Sequence, residues 1–136
     1  MDEATQAEVD AWLAKAKRDL DSAKRLLAGN PPYRDTAAYH CQQAAEKSAN
    51  ALLTAAGIEF PKTHDLTALV ALAEARFPGF AQCREAAAVL TPYGTSFRYP
   101  GSIAEPDDAD LREAISLAER WLATVTTELG VPWTTS

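Results

Sequence analysis

The sequence predicts an all-α fold, an up-and-down bundle of about five helices. Apolar residues recur at alternating steps of three and four along several long segments, which is the period of an amphipathic helix. Glycine and proline separate these segments, and no segment alternates apolar and polar residues as a half-buried strand does. At 136 residues, we expect one domain that occupies residues 1–136.

The first helix is predicted at about residues 4–28, with Trp12 beside its apolar stripe. Gly29 and the segment Asn30-Pro31-Pro32 follow it, and this combination is a strong signal for the end of a helix. The stripe consists of Leu13, Ala16, Leu20, Ala23 and Leu27.

The second helix is predicted at about residues 35–56, with Asp35 or Thr36 as its N-cap and Gly57 at its end. Because the connection is short, the first two helices should form an antiparallel hairpin. The buried stripe of the second helix is made of small and apolar residues: Ala37, Cys41, Ala44, Ser48, Leu52 and Ala55.

Three further helices are predicted at about residues 65–76, 80–90 and 107–129. Thr63 or Asp65 can cap the third helix, and His64 beside them either packs against the bundle or titrates next to an anion. The acidic first turn of the last helix suits the positive end of the helix dipole. Between the last two helices, residues 91–106 are rich in proline, glycine and aromatic side chains, which indicates an ordered loop.

Composition limits the classes of function. The net charge of -6 argues against a protein coated with basic residues for sequence-independent binding of nucleic acid. An acidic N-terminus without an apolar segment does not resemble a secretory leader, and no apolar run is long enough to cross a bilayer. Two unpaired cysteines in apolar surroundings fit a reducing compartment, so we expect a cytoplasmic protein.

Cys41 and Cys83, with His40 and His64, follow no zinc-site spacing. The sequence also has no P-loop, no GxGxxG after a strand, no GxSxG and no HExxH. We therefore expect no metal and no cofactor, and we assign no catalytic residue.

A polar row follows the second helix. His40, Gln43, Lys47 and Asn50 are spaced so that they share one helical face, at the border of the apolar stripe. His and Lys can contact phosphate, and Gln and Asn can hydrogen-bond to a base or to a neighbouring loop. The alternative is a solvated face, on which Glu46 and Lys47 are ordinary surface charges.

The predicted loop contains an arginine among aromatic residues, in Ser96-Phe97-Arg98-Tyr99-Pro100. Arg98 can bind phosphate, and Tyr99 or Tyr93 can stack on a base. Alternatively, Arg98 holds the loop through carbonyl or carboxylate contacts.

Four segments together resemble the HEPN family, the higher-eukaryote and prokaryote nucleotide-binding domains. In order, they are AKRDLDSAKRLL (16–27), YHCQQAAEKSANALLTAAG (39–57), KTHDL (62–66) and FRYPG (97–101), before a final Ala- and Leu-rich helix. The similarity covers about residues 8–129. It implies a helical bundle, commonly a homodimer, that often pairs with a small nucleotidyltransferase, in some cases as a toxin–antitoxin pair.

Many proteins of this family are metal-independent ribonucleases in which His follows Arg by four to six residues, at the start of the last core helix. Here no His follows Arg98. Arg34 and His40 have the required spacing, but they lie at the entry to the second helix. On a regular helix their side chains would also point about 120° apart. The resemblance therefore favours the non-nuclease branch.

Our hypothesis from the sequence is a module that binds a nucleotide or RNA, or that docks onto a nucleotidyltransferase. Arg98 would engage phosphate, Tyr99 or Tyr93 would stack on a base, and the row His40, Gln43 and Lys47 would supply hydrogen bonds and a second positive charge. One alternative is a ribonuclease with a non-standard site, for example His40 with Arg98. Another is a purely structural adaptor that dimerises through incompletely covered faces near Trp12 and Trp121.

Overall fold

The computed structural model describes residues 1–95, 100 and 105–131. Within these residues the chain forms five α-helices: α1 (Glu3–Ala28), α2 (Arg34–Ala55), α3 (Leu66–Glu74), α4 (Arg84–Leu90) and α5 (Asp108–Leu129). Two short 3₁₀ helices, Pro78–Cys83 and Thr91–Gly94, flank α4. No strand occurs in this part of the chain, which confirms the predicted all-α class.

Helix α2 is the central element of the bundle. It packs against α1 as the predicted hairpin, and α3, α5 and the 3₁₀ helix Thr91–Gly94 pack on its other sides. Burial therefore extends well beyond the predicted stripe and includes polar side chains such as Gln42 and Gln43. The many alanines of α2 permit close approach from several directions, because their side chains add little thickness to the helix.

The helix ends follow the expected capping chemistry in most places. Asp65 is the N-cap of α3, where its carboxylate accepts a bond from the Thr67 amide at 3.0 Å. Asp107 and Asp110 form a capping box at the start of α5. Gly57 after α2 and Gly130 after α5 both have positive φ, the conformation that glycine adopts at low cost.

The N-cap predicted for the second helix is wrong. Helix α2 begins one residue earlier, at Arg34, and Tyr33 occupies the cap position without a side-chain cap bond. Arg34 is held from outside the helix, since its Nε donates to Oδ1 of Asp108 at 2.6 Å. The first residue of α2 is thus held by an ion pair with α5, and the helix has no side-chain cap of its own.

Two other predicted elements differ from the structure. The helix expected at about residues 80–90 is a 3₁₀ helix followed by α4, and residues 91–94 of the expected loop form the second 3₁₀ helix. Trp121, expected near an incompletely covered face, is only 1% exposed and packs edge-on against Phe80. None of the described helices is both long enough and apolar enough to span a membrane.

Candidate functional site

A nearly buried carboxylate joins the first two helices. Asp19 of α1 is 7% exposed. Its Oδ1 lies 2.8 Å from Nδ1 of His40, and its Oδ2 accepts a bond from Nζ of Lys47 at 2.7 Å. We call Asp19, His40 and Lys47 the Asp19 cluster.

The local sequence explains why these three groups meet. Asp19 precedes Leu20, which belongs to the buried stripe of α1, so its side chain points along the edge of the α1–α2 contact. His40 and Lys47 are seven residues apart, about two helical turns, and therefore lie on the same side of α2. Each of the two carboxylate oxygens consequently has its own nitrogen partner.

The Asp19 cluster fixes the orientation of the His40 ring. A carboxylate paired with Lys47 can only accept hydrogen bonds, so Nδ1 of His40 donates to it. Nε2 has no partner in the described part of the chain. It can accept a proton, or donate one when the ring is charged.

His40 also lines a cleft. The other residues of this cleft belong to the first turns of α2: Asp35, Thr36 and Tyr39. The Tyr39 ring lies edge-on to the imidazole, with the ring centroids 5.7 Å apart. The His40 side chain is 27% exposed, so its ring is open to a ligand while its Nδ1 edge is held against α1.

Gln43 belongs to a second, separate cluster. Its amide nitrogen donates to Oε1 of Gln42 at 2.8 Å and, more weakly, to Oε1 of Glu46 at 3.4 Å. The Gln42 amide donates in turn to the His64 carbonyl at 2.8 Å, and Nδ1 of His64 lies 2.8 Å from Oε1 of Glu46. This network fastens the chain before α3 to α2.

The polar row of α2 is therefore neither one site nor a solvated face. His40 and Lys47 come together on Asp19, whereas Gln43 is directed to the network around Glu46. The alternative of ordinary surface charges is wrong for Glu46 and Lys47, whose side chains are 14% and 25% exposed and ion-paired. Asn50 is also buried.

The remaining predicted residues lie elsewhere. Tyr93 is 8% exposed, in the 3₁₀ helix that packs on α2, and burial raises the pKa of its phenol. Stacking of Tyr93 on a base would require this ring to leave the core. Arg98 and Tyr99 lie outside the described residues.

Arg34 and His40, the pair with ribonuclease-like spacing, have different partners. Arg34 pairs with Asp108 of α5, and His40 pairs with Asp19 of α1. The different partners agree with the angle of about 120° expected between the two side chains on a regular helix, which is the reason that this pair was rejected as a ribonuclease motif.

Neither cysteine is poised for chemistry. Burial raises the pKa of the Cys41 thiol to about 12, and burial raises that of Cys83 to about 11, so both are protonated at neutral pH. In the ranges that the structure describes, no three His, Cys, Asp or Glu side chains are grouped so that they could hold a metal ion.

Asp19, Gln42 and Glu46 belong to these two clusters but were not predicted as site residues from the sequence. Asp19 offered one signal, since it is a carboxylate at the edge of the apolar stripe of α1, where an isolated charge requires a partner. Gln42 offered less, because nothing local indicates that a Gln is fully buried.

Fold and site define a small all-α bundle with a carboxylate–histidine–lysine cluster between its first two helices. The family model of the HEPN domain matches residues 9–128, and the chain therefore belongs to the HEPN family. No curated protein matches the chain.

Two solved structures are similar over nearly their whole length. One is the crystal structure of TT1696 from Thermus thermophilus, with a TM-score of 0.79 and 27% identity over 89% of this chain and 98% of that chain. The other is that of ST0689, an archaeal HEPN homologue, with a TM-score of 0.72 and 29% identity over 90% of this chain and 98% of that chain. These likenesses confirm the family resemblance.

Proposed function

We propose that this HEPN protein binds a phosphate-bearing ligand, a nucleotide or an RNA, at the open edge of His40. The observation that carries the proposal is the Asp19 cluster, in which Nδ1 is held by a carboxylate and the ring lines a cleft. A charged imidazole donates from Nε2 to a phosphate oxygen. Lys47 offsets the charge of Asp19, so the carboxylate does not by itself repel an anion.

The two histidines of the chain provide a matched test. We expect mononucleotides and short RNAs to raise the melting temperature and to shift the His40 ring signals in NMR spectra. His40→Ala should abolish the rise in melting temperature, whereas His64→Ala should retain both that rise and the shift of the His40 signals, because His64 lies in the separate network around Glu46. Absence of any ligand effect on the wild-type protein would refute the proposal.

A second candidate function is metal-independent cleavage of RNA, which the Asp19–His40 pair favours. A carboxylate on Nδ1 holds an imidazole in one orientation and one tautomer, which suits general acid–base catalysis. His40 would accept the proton of a ribose 2′-hydroxyl as that oxygen attacks the adjacent phosphate. The bond from phosphorus to the 5′-oxygen then breaks, which leaves a 2′,3′-cyclic phosphate on one fragment, and the departing 5′-oxygen takes a proton from solvent water. Purified protein should then cleave RNA, and the activity should be lost in His40→Ala and kept in His64→Ala. Cleavage that survives His40→Ala would exclude this site.

We also propose that the protein is a homodimer and that it pairs with a small nucleotidyltransferase, as the family resemblance implies. Sedimentation velocity of the protein alone should give twice the 14.7 kDa of the chain. Addition of a nucleotidyltransferase encoded beside it should give a heavier complex. A monomer that does not change on this addition would leave the proposal without support.

A further inference from the structure

The exposed face of α1 carries a row of positive charge in an otherwise acidic protein. Residues 15–25 contain five cations and two carboxylates, while the whole chain has a net charge of -6. Lys15, Arg18, Ser22 and Arg25 follow each other at steps of three, four and three, so they share one face of the helix. We call these four residues the α1 row, and they line a shallow groove along the helix.

The cations of the α1 row have no carboxylate partners among the described residues. Four other cations do form ion pairs: Lys24, Arg34, Lys47 and Arg84. Lys15, Arg18 and Arg25 form none there, and all three are exposed. Asp21 lines the same groove, but the cations there outnumber this single carboxylate. Such an excess of positive charge creates a potential that attracts an anionic partner.

The α1 row runs beside the Asp19 cluster. Lys15 precedes Asp19 by four residues and Ser22 follows it by three, so both adjoin Asp19 on the helix surface. From Lys15 to Arg25 the row extends about 15 Å along the axis. Glu8 and Asp10, in the acidic first half of α1, limit the positive surface at one end.

We propose that the α1 row binds the phosphate backbone of a single-stranded RNA, one of whose phosphates lies at His40. This inference rests on the proposed function, which it extends from one phosphate to a strand. The α1 row adjoins the Asp19 cluster, at which we propose that a phosphate binds. This position favours RNA as the ligand over an acidic protein surface, because RNA carries further phosphates beside the first one. A single strand can bend from an exposed helix face toward a ring that is only 27% exposed, whereas a rigid duplex follows such a change of direction less easily.

The test combines Arg18→Gln with Arg25→Gln, both at exposed positions. Affinity for a short labelled RNA is measured by fluorescence anisotropy over a series of salt concentrations. Loss of two phosphate contacts should reduce the slope of log K against log salt by about 1.4, and affinity by about 25-fold at 0.1 M salt. In this variant, a mononucleotide should shift the His40 signals in the NMR spectrum by the same amount as in the wild-type protein.

The double variant Arg112→Gln with Arg120→Gln is the matched control. It removes the same charge from exposed positions of α5 and should leave the RNA affinity and the salt slope close to those of the wild-type protein. An equal loss in both double variants would mean that net charge, and not the α1 row, governs binding, and would overturn the inference.

The remaining outcomes separate this inference from the proposed function. If mononucleotides bind at His40 but the α1 variant keeps the wild-type RNA affinity, only the α1 row fails. If that variant loses dimerisation and not RNA affinity, the row contacts a second copy of the chain, and the inference is wrong. If neither mononucleotide nor RNA binds the wild-type protein, the proposed function fails and the inference fails with it.

Discussion

Asp19 contributes to the molecule in two ways at the scale of single residues. Its carboxylate connects α1 to α2 through two charge-assisted hydrogen bonds, and it holds the His40 ring in one orientation. Both effects depend on its two acceptor oxygens, because each oxygen serves a different nitrogen. A neutral side chain of the same shape cannot replace it.

Asp19→Asn should lower the free energy of unfolding at pH 7 by about 1–3 kcal/mol, since the new amide group would face a donor on Lys47 or His40. Urea unfolding followed by circular dichroism measures this change. Asp21→Asn is the control, because Asp21 is exposed on the same helix. Its effect should stay within about 0.5 kcal/mol, and equal effects of the two substitutions would contradict the role given to Asp19.

At the scale of elements, α2 holds two other segments in place: the chain before α3 and the second 3₁₀ helix, both of which pack against it. The buried Gln42 amide donates to the His64 carbonyl before α3. Gly94, at the end of the second 3₁₀ helix, approaches Gln42 so closely that a Cβ on it would lie 2.8 Å from Cδ of that side chain. One residue of α2 therefore positions two other segments.

Gly94→Ala should destabilise the protein by about 1–3 kcal/mol, because Gln42 is fully buried and cannot move aside freely. Gly79→Ala is a matched control. A Cβ at Gly79 meets Oε1 of Glu128, the flexible end of a side chain, so its cost should be much smaller. Thermal unfolding of both variants distinguishes these cases, and equal melting temperatures would show that Gln42 adapts.

Asp65→Ala should cost about 1 kcal/mol at pH 7, the usual cost of losing an N-cap side chain. Hydrogen bonds from Thr67 hold the pKa of the Asp65 carboxyl below its ordinary value of 3.8. Its contribution is therefore present above that pH and is lost as the pH falls through the lowered pKa. Urea unfolding of both proteins at neutral and at strongly acidic pH should show the difference shrink in acid.

At the scale of the whole molecule, stability depends on ionisable groups at both ends of the pH range. Hydrogen bonds lower the pKa values of three exposed carboxyls: Asp2, Asp65 and Asp108. Burial raises the pKa values of both cysteine thiols. The carboxyls thus favour folding above about pH 4, and the thiols favour it below about pH 9.

We expect the free energy of unfolding to fall on both sides of this window. In alkali the unfolded thiols lose protons from about pH 9, while the folded ones retain theirs until about pH 11 or 12. Urea unfolding across the pH range tests this expectation. Relative to the wild-type protein, Cys41→Ala should lose less stability between pH 8 and 10; identical alkaline losses would show that the Cys41 thiol does not contribute.

The three long helices and α3 could be predicted from the amino-acid sequence without the structure, because their signals are local, whereas the two 3₁₀ helices and the start of α2 could not. Stripe spacing, Asp65, the acidic residues before α5 and the glycines after α2 and α5 act within a few neighbouring residues, so each could be interpreted from its own segment. The family resemblance followed from the order of such segments along the chain.

Which polar groups meet could be learned only from the packed helices. The helical period indicates the face of α2 on which His40, Gln43 and Lys47 lie, but not the rotation and offset of α1 and of the α3 region against that face. Those depend on packing between residues far apart in sequence. Packing brought Asp19 to His40 and Lys47, directed Gln43 to the network around Glu46, and buried Tyr93.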